Sequence, residues 1–93
     1  MSGKFAAVPV DKDTKIIFQA EASLGAYSVL YQKWHWDGIT AESIIFDSND
    51  VVNLTDIEIE NEVRTSPLLK EDSKVTVSRS ESGFVFVNFN FSN

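Results

Sequence analysis

One hexapeptide, Lys33-Trp34-His35-Trp36-Asp37-Gly38, holds both tryptophans and the only histidine of this chain. On a strand, Trp34 and Trp36 share a face and stand two rises of about 3.3 Å apart, so their indoles form a strip on which a sugar ring or a base can stack. The competing structural reading places both indoles as caps on the open end of a small core. It has the stronger physical footing, because burying an indole removes a large apolar area from water.

His35 and Asp37 bring acid-base groups to the same place. A hydrolase built on them needs a placed nucleophile and an oxyanion hole as well, and neither has a local signature here. One histidine and no cysteine also fall short of the usual zinc sets. The expectation is a histidine that bonds locally beside a turn, with no catalytic residue, no metal site and no cofactor.

The most organised polar feature is the alternation of Asp56, Glu58, Glu60 and Glu62 with Ile57, Ile59 and Val63 in Thr55–Arg64 (TDIEIENEVR). Read as a strand, the isoleucines and the valine point inward and the acids form a strip. Like charges at every second residue repel, so such a strip is solvated or matched by a basic neighbour. As structure it guards a sheet edge against pairing; as function it docks a basic protein surface, including one that normally binds nucleic acid. The oxygen-rich run Asp47-Ser48-Asn49-Asp50 invites a calcium reading, but Val51 stands where a third oxygen ligand is needed and no glycine follows. A turn with local Asp and Asn hydrogen bonds fits better. Asn53-Leu54-Thr55 matches a glycosylation sequon, which carries no weight without secretion.

These residues depend on the elements that carry them, and two-residue alternation dominates the chain. Lys15–Ala22 (KIIFQAEA) puts Ile16, Phe18, Ala20 and Ala22 on one face, with Ile17 the exception on the other. Ala26–Trp36 is rich in aromatic and β-branched residues. Leu24, Tyr27, Tyr31 and Trp34 also fall at helical spacings, so a helix over 20–34 is the rival. Asp37-Gly38 decides for a strand, because that pair is the strongest short-range hairpin signal. A two-residue type I′ turn there pairs Trp36 with Ile39, Trp34 with Ala41, Lys33 with Glu42, Tyr31 with Ile44, Leu30 with Ile45 and Val29 with Phe46. Ser66-Pro67 followed by Leu68-Leu69-Lys70-Glu71 reads as an N-cap and a helical turn near 66–72. A three-residue loop of Glu81, Ser82 and Gly83 joins the last two strands, pairing Val77 with Val87 and Val75 with Phe89. The run FVFVNFNF, apolar on both faces at first, calls for a central strand.

At 93 residues the chain fits one domain over 1–93, with 1–14 the less ordered part. Fourteen acidic against eight basic side chains give a net charge of -6, which repels phosphate backbones and acidic membranes. MSGKFAAVPV is too short an apolar run for a signal peptide or a span, so the expected setting is cytoplasmic. The expected fold is all-β, a small antiparallel β-sandwich or open barrel of about six strands with at most one helical turn.

The expected function is that of a small acidic, non-enzymatic interaction module. Its protein partner, one with a basic surface, meets the acidic residues, the tip Trp34–Asp37, or both. The alternative is a carbohydrate or small-ligand binder using Trp34 and Trp36. A sheet this apolar is also able to pair edge to edge with a second copy as a homodimer.

Overall fold

A computed structural model describes residues 3–93. Five strands, β1 (Lys15–Leu24), β2 (Tyr27–Trp36), β3 (Ile39–Asp47), β4 (Thr76–Arg79) and β5 (Phe84–Ser92), form one sheet in the order β1-β2-β3-β5-β4. Every pairing is antiparallel. A 3-10 turn (Ser48–Val51) and the helix α1 (Asp56–Arg64) lie between β3 and β4. The class is mostly antiparallel β, as expected, but among the described residues there are five strands in one sheet that does not close, and the expected six-stranded sandwich or barrel is not seen.

The sixth expected strand is α1. Thr55 and Glu58 form a capping box: Thr55 Oγ1 accepts from the Glu58 amide at 3.2 Å, and the Thr55 amide donates to Glu58 Oε1 at 2.9 Å. Two of the four orphan amides of the first turn are thereby satisfied, which favours a helix start over an extended chain. Asp56 and Glu58 in the first turn and Arg64 in the last also suit the helix dipole. Ile59 and Val63, four apart, are buried on one face, whereas Ile57 is 72% exposed. The alternation Asp-Ile-Glu-Ile-Glu fits both periods over so short a span, and the cap decides between them.

The helical turn expected near 66–72 is absent as well. Ser66 closes a turn instead, its Oγ accepting from the Leu68 amide at 3.2 Å and its carbonyl from the Leu69 amide at 3.3 Å. The backbone groups that a helix would use are taken by Asn90. This buried residue of β5 sits at φ +54°, where β5 slips its register against β3 between Phe89 and Ser92. Its side chain accepts from the Lys70 amide (2.9 Å) and donates to the Leu68 carbonyl (2.7 Å), and its own amide donates to Ser73 Oγ (2.6 Å). Asn tolerates the left-handed region better than other side chains, so one residue both bends β5 and pins the 66–73 segment over it.

Both hairpins have the register that their turns dictate. The pairs Trp36–Ile39, Trp34–Ala41, Lys33–Glu42, Tyr31–Ile44, Leu30–Ile45 and Val29–Phe46 all form, with Asp37 and Gly38 at φ +50° and +78° as a type I′ turn requires. Val77 faces Val87. In β1 the register against β2 shifts between Ile16 and Phe18, leaving Ile17 as a bulge. Ile16 therefore faces Trp34 while Phe18 faces Lys33, on the opposite side of the sheet, so Ile16 does not share the face expected for it.

The two sides of the sheet are closed by different means. On the helix side, Val29, Ile44, Phe46, Val85, Val87 and Phe89 pack with Ile59 and Val63 of α1 and with Leu24 and Val51. Each such aliphatic or aromatic side chain contributes about 1.5–3 kcal/mol on burial. On the other side, Phe5 and Val8 of the N-terminal segment lie over Leu30, Ile45, Phe84 and Phe86. Residues 1 and 2, part of the stretch expected to be less ordered, lie outside the described residues; Phe5 is fully buried. Among the described residues no helix is long and apolar enough to cross a membrane.

Candidate functional site

The N-terminal segment covers only part of its side of the sheet, and the uncovered part is polar in an ordered way. Gln19 of β1 pairs with Gln32 of β2, Gln32 with Ser43 of β3, Ser43 with Asn88 of β5, and Asn88 with Thr76 of β4. One polar residue from each strand thus stands in a single row across the sheet. Their side chains are joined in two groups: Gln32 Nε2 donates to Gln19 Oε1 at 3.0 Å, while Ser43 Oγ donates to Asn88 Oδ1 and Asn88 Nδ2 reaches Thr76 Oγ1 at 3.4 Å. Trp34 enters the same network, its Nε1 donating to Ser43 Oγ at 2.7 Å. Gln32 and Ser43 are buried, and every buried side-chain nitrogen and oxygen of the described residues has a partner. Burying polar groups in this way costs little only because the row is internally bonded.

Above the row runs the chain from Pro9 to Thr14. Asp11 shapes it, its carboxylate accepting from the Asp13 amide at 2.8 Å and its carbonyl from the Thr14 amide at 3.0 Å. Between this segment and the sheet lies a cavity of about 200 Å³, lined by Pro9, Val10, Asp11, Thr14, Ile16, Gln32, Trp34, Ser43, Phe86 and Asn88. Asp11 is the one charged residue in that lining. The remaining surface combines apolar walls with amides and hydroxyls that retain free valences. Gln32 keeps its Oε1 and a second N–H, and Asn88 holds a spare N–H beside a long bond to Thr76.

The hexapeptide is divided by the sheet. Trp34 lies half-buried in the cavity wall, and Trp36, on the same side, is 43% exposed near the tip. His35 points to the helix side, where its Nδ1 lies 3.1 Å from Thr40 Oγ1. Asp37 is in the turn itself at φ +50°. The histidine bonds across the hairpin as expected.

The acids of α1 do not form a strip, because a helix distributes them around its axis. Asp56 accepts from Arg79 Nε at 2.9 Å, and the same guanidinium donates to the Leu54 carbonyl at 2.9 Å. Glu60 pairs with Arg64 at 2.9 Å, Glu58 serves the cap, and Glu62 lies beside Gly25 in the β1–β2 turn. Such exposed pairs contribute about 0–1 kcal/mol each, so they organise charge more than they stabilise the fold. Asp47 Oδ1 accepts from the Asn49 amide at 2.9 Å, and Asp50 pairs with Lys4 at 2.9 Å. Among the described residues no three His, Asp or Glu side chains gather into a metal set.

Glu42 gathers two hydrogen bonds from neighbouring side chains. On the helix side it accepts from the Tyr31 hydroxyl at 2.6 Å and from Asn90 Nδ2 at 2.8 Å. Burial, and then the hydrogen bond to and charge of Glu42, push the Tyr31 hydroxyl well above the usual phenol range.

Single elements of the sequence do not reveal the polar row. Its two halves were implicit: the hairpin register that pairs Lys33 with Glu42 also pairs Gln32 with Ser43, and the one that pairs Val77 with Val87 also pairs Thr76 with Asn88. What joins them is the contact of β3 with β5, between residues far apart in the chain. No protein-family model, curated protein or solved structure matches this chain.

Proposed function

We propose that this protein is a non-enzymatic binding module whose contact surface is the groove beneath residues 9–14, extended toward the hairpin tip by Trp36. Its ligand class is neutral and rich in hydroxyls, a sugar residue of a glycan being the chemistry that fits. The observation that carries this reading is the bonded polar row ending beside Trp34 in a cavity of ring size. Each hydroxyl both donates and accepts, and the free valences of Gln32 and Asn88 offer both. The C–H face of a pyranose suits the apolar walls of Ile16, Trp34 and Phe86. A strongly anionic ligand finds no cation in the lining and meets the Asp11 carboxylate, so nothing there neutralises it.

The test is tryptophan emission during titration with a panel of neutral oligosaccharides, using Trp36→Ala so that Trp34 is the sole reporter. A saturable change that Gln32→Ala weakens supports the groove. Silence across the panel at millimolar sugar sinks it.

The second reading keeps a protein partner with a basic surface, meeting the acidic helix and the tip. It is favoured by Ile57, an apolar side chain 72% exposed between Asp56 and Glu58. Apolar anchors framed by charge are a feature of docking surfaces. Binding that weakens steeply with salt and with Ile57→Asp would support this reading over the groove.

A further inference from the structure

The two edges of the sheet are unequal. β4 is four residues long and lies beside α1, with Arg79 held by Asp56. β1 is ten residues long and pairs with β2 alone, so one whole side of its backbone has no partner strand. Proteins normally blunt such an edge with charge, proline or shortness. From Ile16 to Ala20, β1 has none of these; Ile17 is 50% exposed and Phe18 56% exposed. Its single protective device is the bulge at Ile17, which confines regular pairing to residues 18–24.

We infer that β1 pairs antiparallel with β1 of a second copy, joining two five-stranded sheets into one of ten about a two-fold axis at Ala20. The register follows from charge and size. Centring the axis on Glu21 would set Glu21 against its own copy, a like-charge pair that destabilises a ladder. Centring it on Ala20 sets Gln19 against the copy's Glu21 and Phe18 against the copy's Ala22, and each contact is made twice, as an isologous interface requires. Phe18 already leans on Tyr31 on the helix side, ring centroids 6.0 Å apart, and the exposed Ala22 of the second copy covers its free side. The segment is thus its own complement, large side chain against small and amide against carboxylate, which is the argument for a second copy over a foreign strand. This inference does not rest on the reading proposed for the groove, although Gln19 also accepts from Gln32 in the polar row.

Sedimentation velocity across a concentration series tests it. The wild-type chain should sediment at twice the chain mass at high concentration and dissociate on dilution. Phe18→Asp should weaken the dimer about tenfold or more, with circular dichroism confirming an intact fold. Gln19→Lys, which creates two Lys–Glu pairs across the axis, should tighten it several-fold at low salt and lose that gain at high salt. A chain that stays monomeric up to millimolar concentration overturns the inference. So does a dimer indifferent to both substitutions, which would use another surface.

Discussion

The helix side and the groove side of the sheet solve one problem with opposite materials. On the helix side ten buried apolar residues from four strands, α1 and the neighbouring 3-10 turn close a dry layer. On the groove side three buried apolar residues, Leu30, Ile45 and Phe84, lie under Phe5 and Val8, and beside them runs the hydrogen-bonded polar row. Within the helix-side cluster the buried side chains are hydrocarbon and offer a ligand no hydrogen bond. The polar row stays partly uncovered and keeps free donors and acceptors, so the side with the smaller apolar core is the side that carries the proposed binding groove.

Truncating one phenylalanine on each side should break this comparison open. Phe89→Ala, on the helix side, should lower global stability by about 3–5 kcal/mol in denaturant titrations. Phe5→Ala removes an equally buried ring, but the segment it anchors is local. The loss should be at or below the bottom of that range, about 3 kcal/mol or less, with hydrogen exchange rising in residues 5–14 while α1 keeps its protection. Equal global losses would show that the two sides are one cooperative unit.

Smaller effects sharpen the contrast. Ser43→Ala strips partners from Trp34 Nε1 and Asn88 Oδ1 and should cost about 1–3 kcal/mol, and it should disturb Trp34 emission where Phe89→Ala acts mainly on the unfolding midpoint. Thr55→Ala removes the cap of α1 and should cost about 0.5–2 kcal/mol with tryptophan emission unchanged. The smallest effect is one of pH. The folded state holds the Tyr31 hydroxyl above its unfolded value, so the stability linked to it is complete below about pH 10 and is lost as pH rises beyond that. Tyr31→Phe should flatten the alkaline limb of the stability curve, and a limb that stays unchanged would mean that Glu42 does not hold this proton.

Legibility in the sequence followed the distance over which each feature is decided. Asp37-Gly38 and Gly83 fix their hairpins locally, because turn geometry sets the register of everything behind it, and both registers were readable to the residue. Thr55–Arg64 was misread because isoleucines and acids at alternate positions outweighed Thr55-x-x-Glu58, a start signal spelled in four residues. Ile17 was visible as a break in alternation, but only the partner strand turns the break into a bulge that sends Ile16 to the other side. The candidate site was half legible. Trp34 was named; Gln32, Ser43 and Asn88 become a row only when β5 docks on β3. Asn90 gave no warning, since its role depends on which loop lies above it.

The strand order also has a temporal side. β5 follows the other four strands in the chain, yet it sits between β3 and β4, so β4 has no neighbour in the sheet until β5 arrives. The β1-β2-β3 meander can close through its two tight turns, but both the dry layer and the polar row wait for one insertion between segments separated by some 40 residues, a loop closure that slows folding. Until then the edges of β1 and β3, on opposite sides of the meander, both lie bare, and the nascent chain offers two long templates for mispairing where the finished sheet keeps one long edge, β1, and one short edge, β4.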